Sequence, residues 1–266
     1  MSAALERRLD RAETLARSLV DPPAVPDPVE LFRATGQEPD DWQRDVLVSR
    51  AQRILMNCSR QSGKSTVAAA IAVHEALSAA GGLVLLLSPS LRQSQELFRK
   101  TIDVYAAAGR PVVSEIENRL TLELANGSRI VSLPGTEKTV RGFSGVRLLV
   151  VDEASRVADE LNASIRPMLA VSGGRLVALS TPWGRRGWFF EAWTGDESWL
   201  RVEVPATACP RISPAFLEEE RRALGDLVYR SEYGCEFCDT LENVFRSVDI
   251  EAALDGSVRP LWGATA

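Results

Sequence analysis

Histidine is nearly absent from this sequence and cysteine is scarce. His74 stands alone, and the thiols are Cys58, Cys209, Cys235 and Cys238. Only Cys235 and Cys238 form a C-x-x-C pair. A zinc site would need Cys209 and a fourth ligand from elsewhere, so reduced and packed thiols are expected instead. A large excess of one charge is also lacking. The 31 Lys and Arg stand against 36 Asp and Glu, for a net charge of −5. That excludes a wholly basic nucleic-acid coat but leaves room for a local basic groove. No apolar run approaches the length of a membrane span, and the opening MSAALERRLDRAETLARSLV is too charged for a signal peptide. A soluble, intracellular chain without a membrane partner is expected. What is present is ordinary for a globular protein: 45% hydrophobic and 25% charged residues over a length of 266. This suits one large α/β domain, or one domain with a small accessory part.

Strand and helix signals alternate along the chain. Leu5, Leu9, Ala12, Ala16 and Leu19 recur at helical spacing, which predicts an amphipathic helix over 4–19. DPPAVPDP (21–28) reads as a stiff linker. A helix is expected over 39–49, with Asp40 or Asp41 near its N-cap. RILMNC (53–58) is a short buried strand, and residues 66–82 are rich in helix formers before a glycine stop. LVLLLSPS (83–90) reads as a buried parallel strand and 90–109 as the next helix. Residues 118–135 alternate around Asn126-Gly127 and predict a β-hairpin. VRLLVVDEAS (146–155) and GRLVALSTP (174–182) are two more buried strands, with a crossover helix between them over 157–170. The result is a mainly parallel, doubly wound sheet flanked by helices. After Pro205 the pattern becomes a charged helical segment over 213–237, capped by Ser213 with Pro214 in its first turn. Three parts are therefore expected: an N-terminal helix and linker over 1–35, a core over 36–204, and a helical lid region over 205–266.

The chemistry gathers at the ends of those strands. CSRQSGKST (58–66) ends like a phosphate-binding loop, although Cys58 stands where such loops open on glycine. In such a loop the backbone of Ser59, Arg60, Gln61, Ser62 and Gly63 would wrap phosphates at a helix N-terminus. Lys64 would reach the β- and γ-phosphates, Ser65 would bind Mg2+, and Thr66 follows in the first turn. The apolar strand LLVVDE puts Asp152 and Glu153 at the carboxyl edge of the same sheet. There the first can hold Mg2+ and the second can position or deprotonate water. Ser180 and Thr181 end the next buried strand, close to where a γ-phosphate would sit. Ahead of the loop, Gln43 could bond adenine, while Trp42 suits core packing at least as well as base stacking. Arg60 and Arg141 are candidates for the cation that phosphoryl transfer exploits. Arg92, Arg99 and Lys100 share one predicted helix, and Arg185 and Arg186 follow STPWG. Either set could touch DNA phosphates.

Together these residues resemble the large terminase subunits, the ATP-driven packaging motors of tailed bacteriophages. CSRQSGKST is similar to that family's variant Walker A with an early arginine. LLVVDEAS resembles its Walker B with an adjacent glutamate, LSTP its coupling motif, WQ its adenine motif, and RGFSG the segment before Walker B. The resemblance covers about residues 40–182, and YRSEYGCEF resembles the region leading out of the ATPase part. It implies a RecA-like P-loop core of the ASCE class with a small lid. It also implies ATP and Mg2+ as cofactors and a homo-oligomeric ring of five at the portal of an empty capsid. The partners it implies are double-stranded DNA, the portal protein and a small terminase subunit, in the host cytoplasm. By similarity Gln43 binds adenine, Lys64 and Ser65 bind phosphate and Mg2+, Asp152 holds the metal, and Glu153 is catalytic. Ser180 and Thr181 couple hydrolysis to movement, and Arg141 acts on a neighbour's ATP with Arg60 as the cis alternative. An isolated chain is expected to be monomeric. Large terminases also carry an RNase H-like nuclease built on clustered acids. The final residues here offer no strand with such a cluster, so ATP hydrolysis without DNA cleavage is expected. Two other readings bear weighing. A superfamily 2 helicase should carry a second RecA-like domain, for which 205–266 is too short. A nucleotide-gated binding module without turnover would not need Glu153.

Overall fold

The computed structural model describes residues 25–135, 140, 142–195, 198–239 and 252–253. The helix expected over 4–19 lies outside them, as does Arg141.

The first described helix, α1 (Pro28–Ala34), begins inside the stretch expected to be linker. Its start is a capping box: Asp27 Oδ1 accepts from Val29 N at 2.8 Å and Glu30 N at 2.9 Å, and Glu30 Oε2 accepts from Asp27 N at 3.2 Å. Pro28 sits at the first helical position, where its missing N–H costs nothing. Leu31 and Phe32 are then fully buried in the main core. Helix α2 (Asp41–Val48) follows with Asp40 as its N-cap.

Eight strands form one sheet. In chain order they are β1 (Arg53–Cys58), β2 (Leu83–Ser88), β3 (Ser114–Glu117), β4 (Thr121–Leu124), β5 (Arg129–Pro134), β6 (Val146–Asp152), β7 (Arg175–Ser180) and β8 (Leu200–Val204). Their spatial order is β3-β4-β5-β2-β6-β7-β1-β8. From β5 to β8 every pairing is parallel, and the β3-β4 and β4-β5 pairings are antiparallel. The expected hairpin is β4-β5, closed by Asn126-Gly127 with Gly127 at φ 80°. Two strands were not expected, β3 beyond the hairpin and β8 on the far edge.

Alternate side chains of each strand feed two cores, as a period of two requires. Ile54, Met56, Val84, Leu86, Leu148, Val150, Val177 and Leu179 face the side covered by α1, α2, α3 (Lys64–Ser78) and α4 (Leu91–Ala107). Leu55, Leu85, Leu87, Leu149, Val151 and Ala178 face the side covered by α5 (Asp159–Ile165) and α6 (Gly187–Thr194), where Leu161, Ile165, Trp188 and Phe189 pack. Helix α6 was not foreseen. The crossover expected over 157–170 is α5 followed by a 3-10 turn, Arg166–Leu169.

The single helical segment expected over 213–237 is two helices, α7 (Pro214–Leu224) and α8 (Asp226–Glu232). They part at Gly225, whose φ of 77° no helix can hold. Beyond α8 the chain returns to the sheet. Tyr233 O accepts from Ala206 N at 2.7 Å, and Cys235 O accepts from Asn57 Nδ2 at 2.8 Å. All four cysteines are free and buried, and burial pushes the Cys235 thiol up to about 12. Among the described residues no cluster could hold a metal through His, Cys, Asp and Glu alone, and no helix is long and apolar enough to cross a membrane.

Candidate active site

The strand order places β7 between β1 and β6, so three parallel carboxyl ends stand side by side. Each delivers part of the site. β1 ends at the fully buried Cys58, which fills a packed strand position. The loop then leaves the sheet, with Ser59 N donating to Val204 O at 2.9 Å and Arg60 N to Glu232 O at 3.0 Å. Gln61 at φ 61° and Gly63 at φ 89° turn it back on itself. The positive φ favours glycine there, and a Cβ on residue 63 would stand 2.6 Å from Gln43 Nε2 and push that amide off Ser62. Gly63 is the N-cap of α3 and has no side chain to cap it, so the first turn keeps backbone donors for an anion. Lys64 is buried at 8% exposure, and its Nζ has only long contacts, 3.5 Å to Ser59 O and 3.9 Å to Glu153 Oε1. Ser65 and Thr66 follow at the start of the same helix.

β6 delivers the acids. Asp152 is 8% exposed. Burial pushes its carboxyl up to about 6, Glu153 beside it adds to the rise, and Lys64 opposes it. Asp152 Oδ1 accepts from Glu153 N at 3.0 Å. Glu153 is left-handed, at φ 49° and ψ 44°. That conformation is uncommon for a residue with a Cβ and turns the side chain away from the strand line. A 3-10 turn, Ala154–Arg156, follows at once.

β7 delivers Ser180 and Thr181, both buried. Ser180 Oγ donates to Glu153 Oε2 at 3.4 Å and lies 2.7 Å from Ser155 Oγ. Ser155 Oγ also donates to Thr181 O at 2.8 Å. Ser155, absent from the sequence reading, thus links the acid-bearing strand to the hydroxyl-bearing one. Between these ends lies a cavity of about 600 Å³, lined by Arg60, Gln61, Lys64, Gln93, Glu153, Arg156 and Thr181.

Several residues lie elsewhere or do other work. Gln43 is 1% exposed. Its Oε1 accepts from Asp40 N at 2.9 Å, and its Nε2 donates to Ser62 O at 3.2 Å. Arg211 Nη2 donates to the same carbonyl at 3.2 Å and to Asp40 Oδ2 at 2.7 Å. Gln43 therefore braces the loop from behind, with Asp40 and Arg211. Trp42 packs against the main core, and its Nε1 is buried without a partner. Arg92 and Arg99 are exposed on α4, and Arg99 pairs with Glu96 at 2.6 Å. Lys100 is half-buried on that helix. Arg185 donates from Nε to Phe237 O at 3.0 Å, and Arg186 is the exposed N-cap of α6. These two sets sit on different elements.

Arg60, the candidate cation, forms a bidentate pair with Glu232 of α8, Nε to Oε2 at 2.8 Å and Nη2 to Oε1 at 3.1 Å. Glu232 also escaped the sequence reading. The only signal was its place in YRSEYGCEF, since its partner lies 172 positions away.

A family model described as "Terminase large subunit, T4likevirus-type, N-terminal" matches residues 55–252. The large terminase subunit of Thermus virus P23-45 is 26% identical over 261 residues, covering 83% of this chain and 53% of the relative. The chain thus spans about half the length of the curated relatives it matches. Among solved structures, the ATPase domain of the Thermus phage P74-26 large terminase superposes with a TM-score of 0.69 at 23% identity, over 78% of this chain and 97% of that one. The large terminase of thermophilic bacteriophage D6E, in complex with ATP-γ-S, gives 0.61 at 14% identity, over 74% of this chain and 52% of that one. The mixed sheet flanked by helices is the RecA-like ASCE fold of those neighbours.

Proposed function

This chain belongs to the large terminase subunit family, and from that premise we propose that it is the ATP-hydrolysing part of a motor that drives double-stranded DNA into a procapsid. One observation carries the reading: Lys64, Glu153 and Thr181 arrive from three adjacent parallel strand ends around one cavity. A structural ion pair would not need that convergence.

The residues fit a nucleotide and its metal. The phosphates would lie on the N-terminus of α3, which no side chain caps. Lys64, held only by long contacts, is available to them. Asp152 is a buried carboxyl raised to about 6, a state that a divalent cation relieves. Ser65 and Asp152 would hold Mg2+, which supplies charge neutralisation on the phosphates. Glu153 would accept the proton of the attacking water, with its carboxylate steadied by Ser180. Ser155 ties Ser180 to the segment after Thr181, a route by which the state of the site can reach the chain beyond it. Gln43 supports the loop from behind in the form described, and at 1% exposure its amide would have to be uncovered to read adenine.

In the assembled motor Arg141 would act on a neighbour's ATP in a five-membered ring on the portal, with the small terminase subunit as a further partner. Arg92, Arg99, Lys100, Arg185 and Arg186 would meet DNA phosphates, in the host cytoplasm at the procapsid. The test is ATP turnover by the purified chain with Mg2+. Lys64→Ala should abolish it. Turnover unchanged in Lys64→Ala would remove this reading.

A further inference from the structure

We propose that the amino edge of the sheet carries a second binding site, a cavity in which Arg50, Arg147 and Arg175 take a phosphate group. It lies at the other end of the strands from the nucleotide site and does not rest on that reading.

The cavity holds about 400 Å³, within the range of small-ligand sites. Arg147 and Arg175 line it from the starts of β6 and β7, and Arg50 from the loop ahead of β1. His74 and Glu75 line it from α3, and Asp27 from the cap of α1. His74 lies ten residues along α3 from Lys64, about 15 Å, so a group bound here is remote from the phosphate loop. The charges in this wall do not cancel. Three guanidiniums meet two carboxylates. Arg147 Nε donates to Glu75 Oε1 at 2.9 Å, and the Arg147 side chain remains half-exposed. Asp27 Oδ1 is committed to the backbone of α1. Arg175 donates to carbonyls, from Nε to Ala51 O at 3.2 Å and from Nη2 to Ser49 O at 3.0 Å. Those bonds orient its fork without neutralising it. Arg50 is exposed, and among the described residues neither it nor Arg175 forms an ion pair with a carboxylate.

The cations also burden one another. Burial holds the Arg175 guanidinium below its usual value, with Glu75 opposing and Arg50 adding to the fall. Burial likewise holds His74 low, with Glu75 and Asp27 raising it and Arg175 and Arg50 lowering it. Like charges set together in a half-buried wall repel, and a bound anion removes that cost. Phosphate suits the wall better than carboxylate does. Guanidinium forks bind both, but three forks around one cavity match a group with up to two negative charges and several acceptor oxygens. Among the described residues lining the cavity, the His74 imidazole is the only aromatic ring, so a base finds no broad face to stack on. The recognised group is therefore the phosphate itself, whether free as phosphate or pyrophosphate or carried on a DNA backbone.

The test is a calorimetric titration of the full chain with pyrophosphate, checked by the rise in melting temperature that binding brings. It is run on Lys64→Ala, so that the phosphate loop contributes least. Adding Arg50→Ala should weaken pyrophosphate about tenfold, the size of a lost charged hydrogen bond. Arg50→Lys should recover part of that loss, since it keeps the charge without the fork. Arg50 is exposed, so melting without ligand should not change. A second arm titrates a short DNA duplex at several salt concentrations. If backbone phosphate is the source, Arg50→Ala weakens duplexes of different sequence alike and lowers the salt slope by about one. If free phosphate is the source, duplex binding is unchanged and the pyrophosphate loss remains. Either pattern supports the site. Arg50→Ala with its parent's affinity for both pyrophosphate and duplex overturns the proposal. So does an acidic peptide that binds through Arg50 where neither phosphate ligand does.

Discussion

Glu153 gives the sharpest perturbation, because its backbone and its carboxylate make opposite predictions. The residue is held left-handed at φ 49° and ψ 44°. For a residue with a Cβ that conformation costs about 1–2 kcal/mol. Its side chain recovers little, since Ser180 Oγ approaches only to 3.4 Å and Lys64 Nζ to 3.9 Å. Such strain persists where function requires it. Glu153→Gln keeps the shape and the strain but removes the base. Turnover should fall by about 10²–10⁴, the range that general-base catalysis supplies. Nucleotide affinity should stay within about threefold, because a contact of 3.9 Å with a partly exposed partner is weak. Glu153→Asn also removes the base, but asparagine tolerates the left-handed region. It should be equally inactive yet more stable than wild type by about 0.5–1 kcal/mol. The assays are steady-state ATP turnover and denaturant unfolding of both variants. Glu153→Gln with more than a tenth of wild-type turnover would refute the catalytic role. Glu153→Asn less stable than wild type would refute the strain.

Other outcomes follow from the same geometry. Gly63→Ala meets a positive φ and Gln43 Nε2 at 2.6 Å. It should abolish nucleotide binding and lower stability by about 1–2 kcal/mol, read by titration and by denaturant unfolding. Arg211→Ala removes one of two donors to Ser62 O and frees Asp40. It should weaken nucleotide binding by roughly threefold to tenfold without changing turnover at saturation, which a kcat and KM comparison detects. Asp27→Ala removes the cap of α1 and should cost about 1 kcal/mol by denaturant unfolding with activity retained. The Glu232 carboxyl, faced by Arg60, Arg156 and Thr181, is held below its usual range. A depressed carboxyl stabilises above its unfolded value of about 4.3 and loses that contribution as pH falls below it. Melting temperatures of wild type and Glu232→Gln should therefore converge between about pH 5 and pH 3.

The central strands were legible because each is a continuous apolar run buried on both faces, as β1, β2, β6 and β7 are. The positions of the loop after Cys58, the acid pair and the hydroxyl pair at neighbouring strand ends were legible because each follows such a run directly. Helix α1 was missed although Asp27, Pro28 and Glu30 spell a capping box, because the prolines around it were read as a linker. Strand β8 was missed because an edge strand with only Val204 buried carries a weak alternation. The break at Gly225 was visible as a glycine but not as a positive φ. Ser155, Arg211 and Glu232 were not legible by any local rule. Their meaning comes from partners 25, 149 and 172 positions away. Gln43 was read as an adenine ligand from its place ahead of the loop, and its observed contacts are with Ser62 and Asp40.

The most direct measurement is a crystal structure of this chain with Mg2+ and a non-hydrolysable ATP analogue. The phosphates should lie on the first turn of α3, with the γ-phosphate between Lys64, Glu153 and Ser180. A nucleotide bound away from that cavity, or phosphates that leave Lys64 on Ser59 O, would contradict the account.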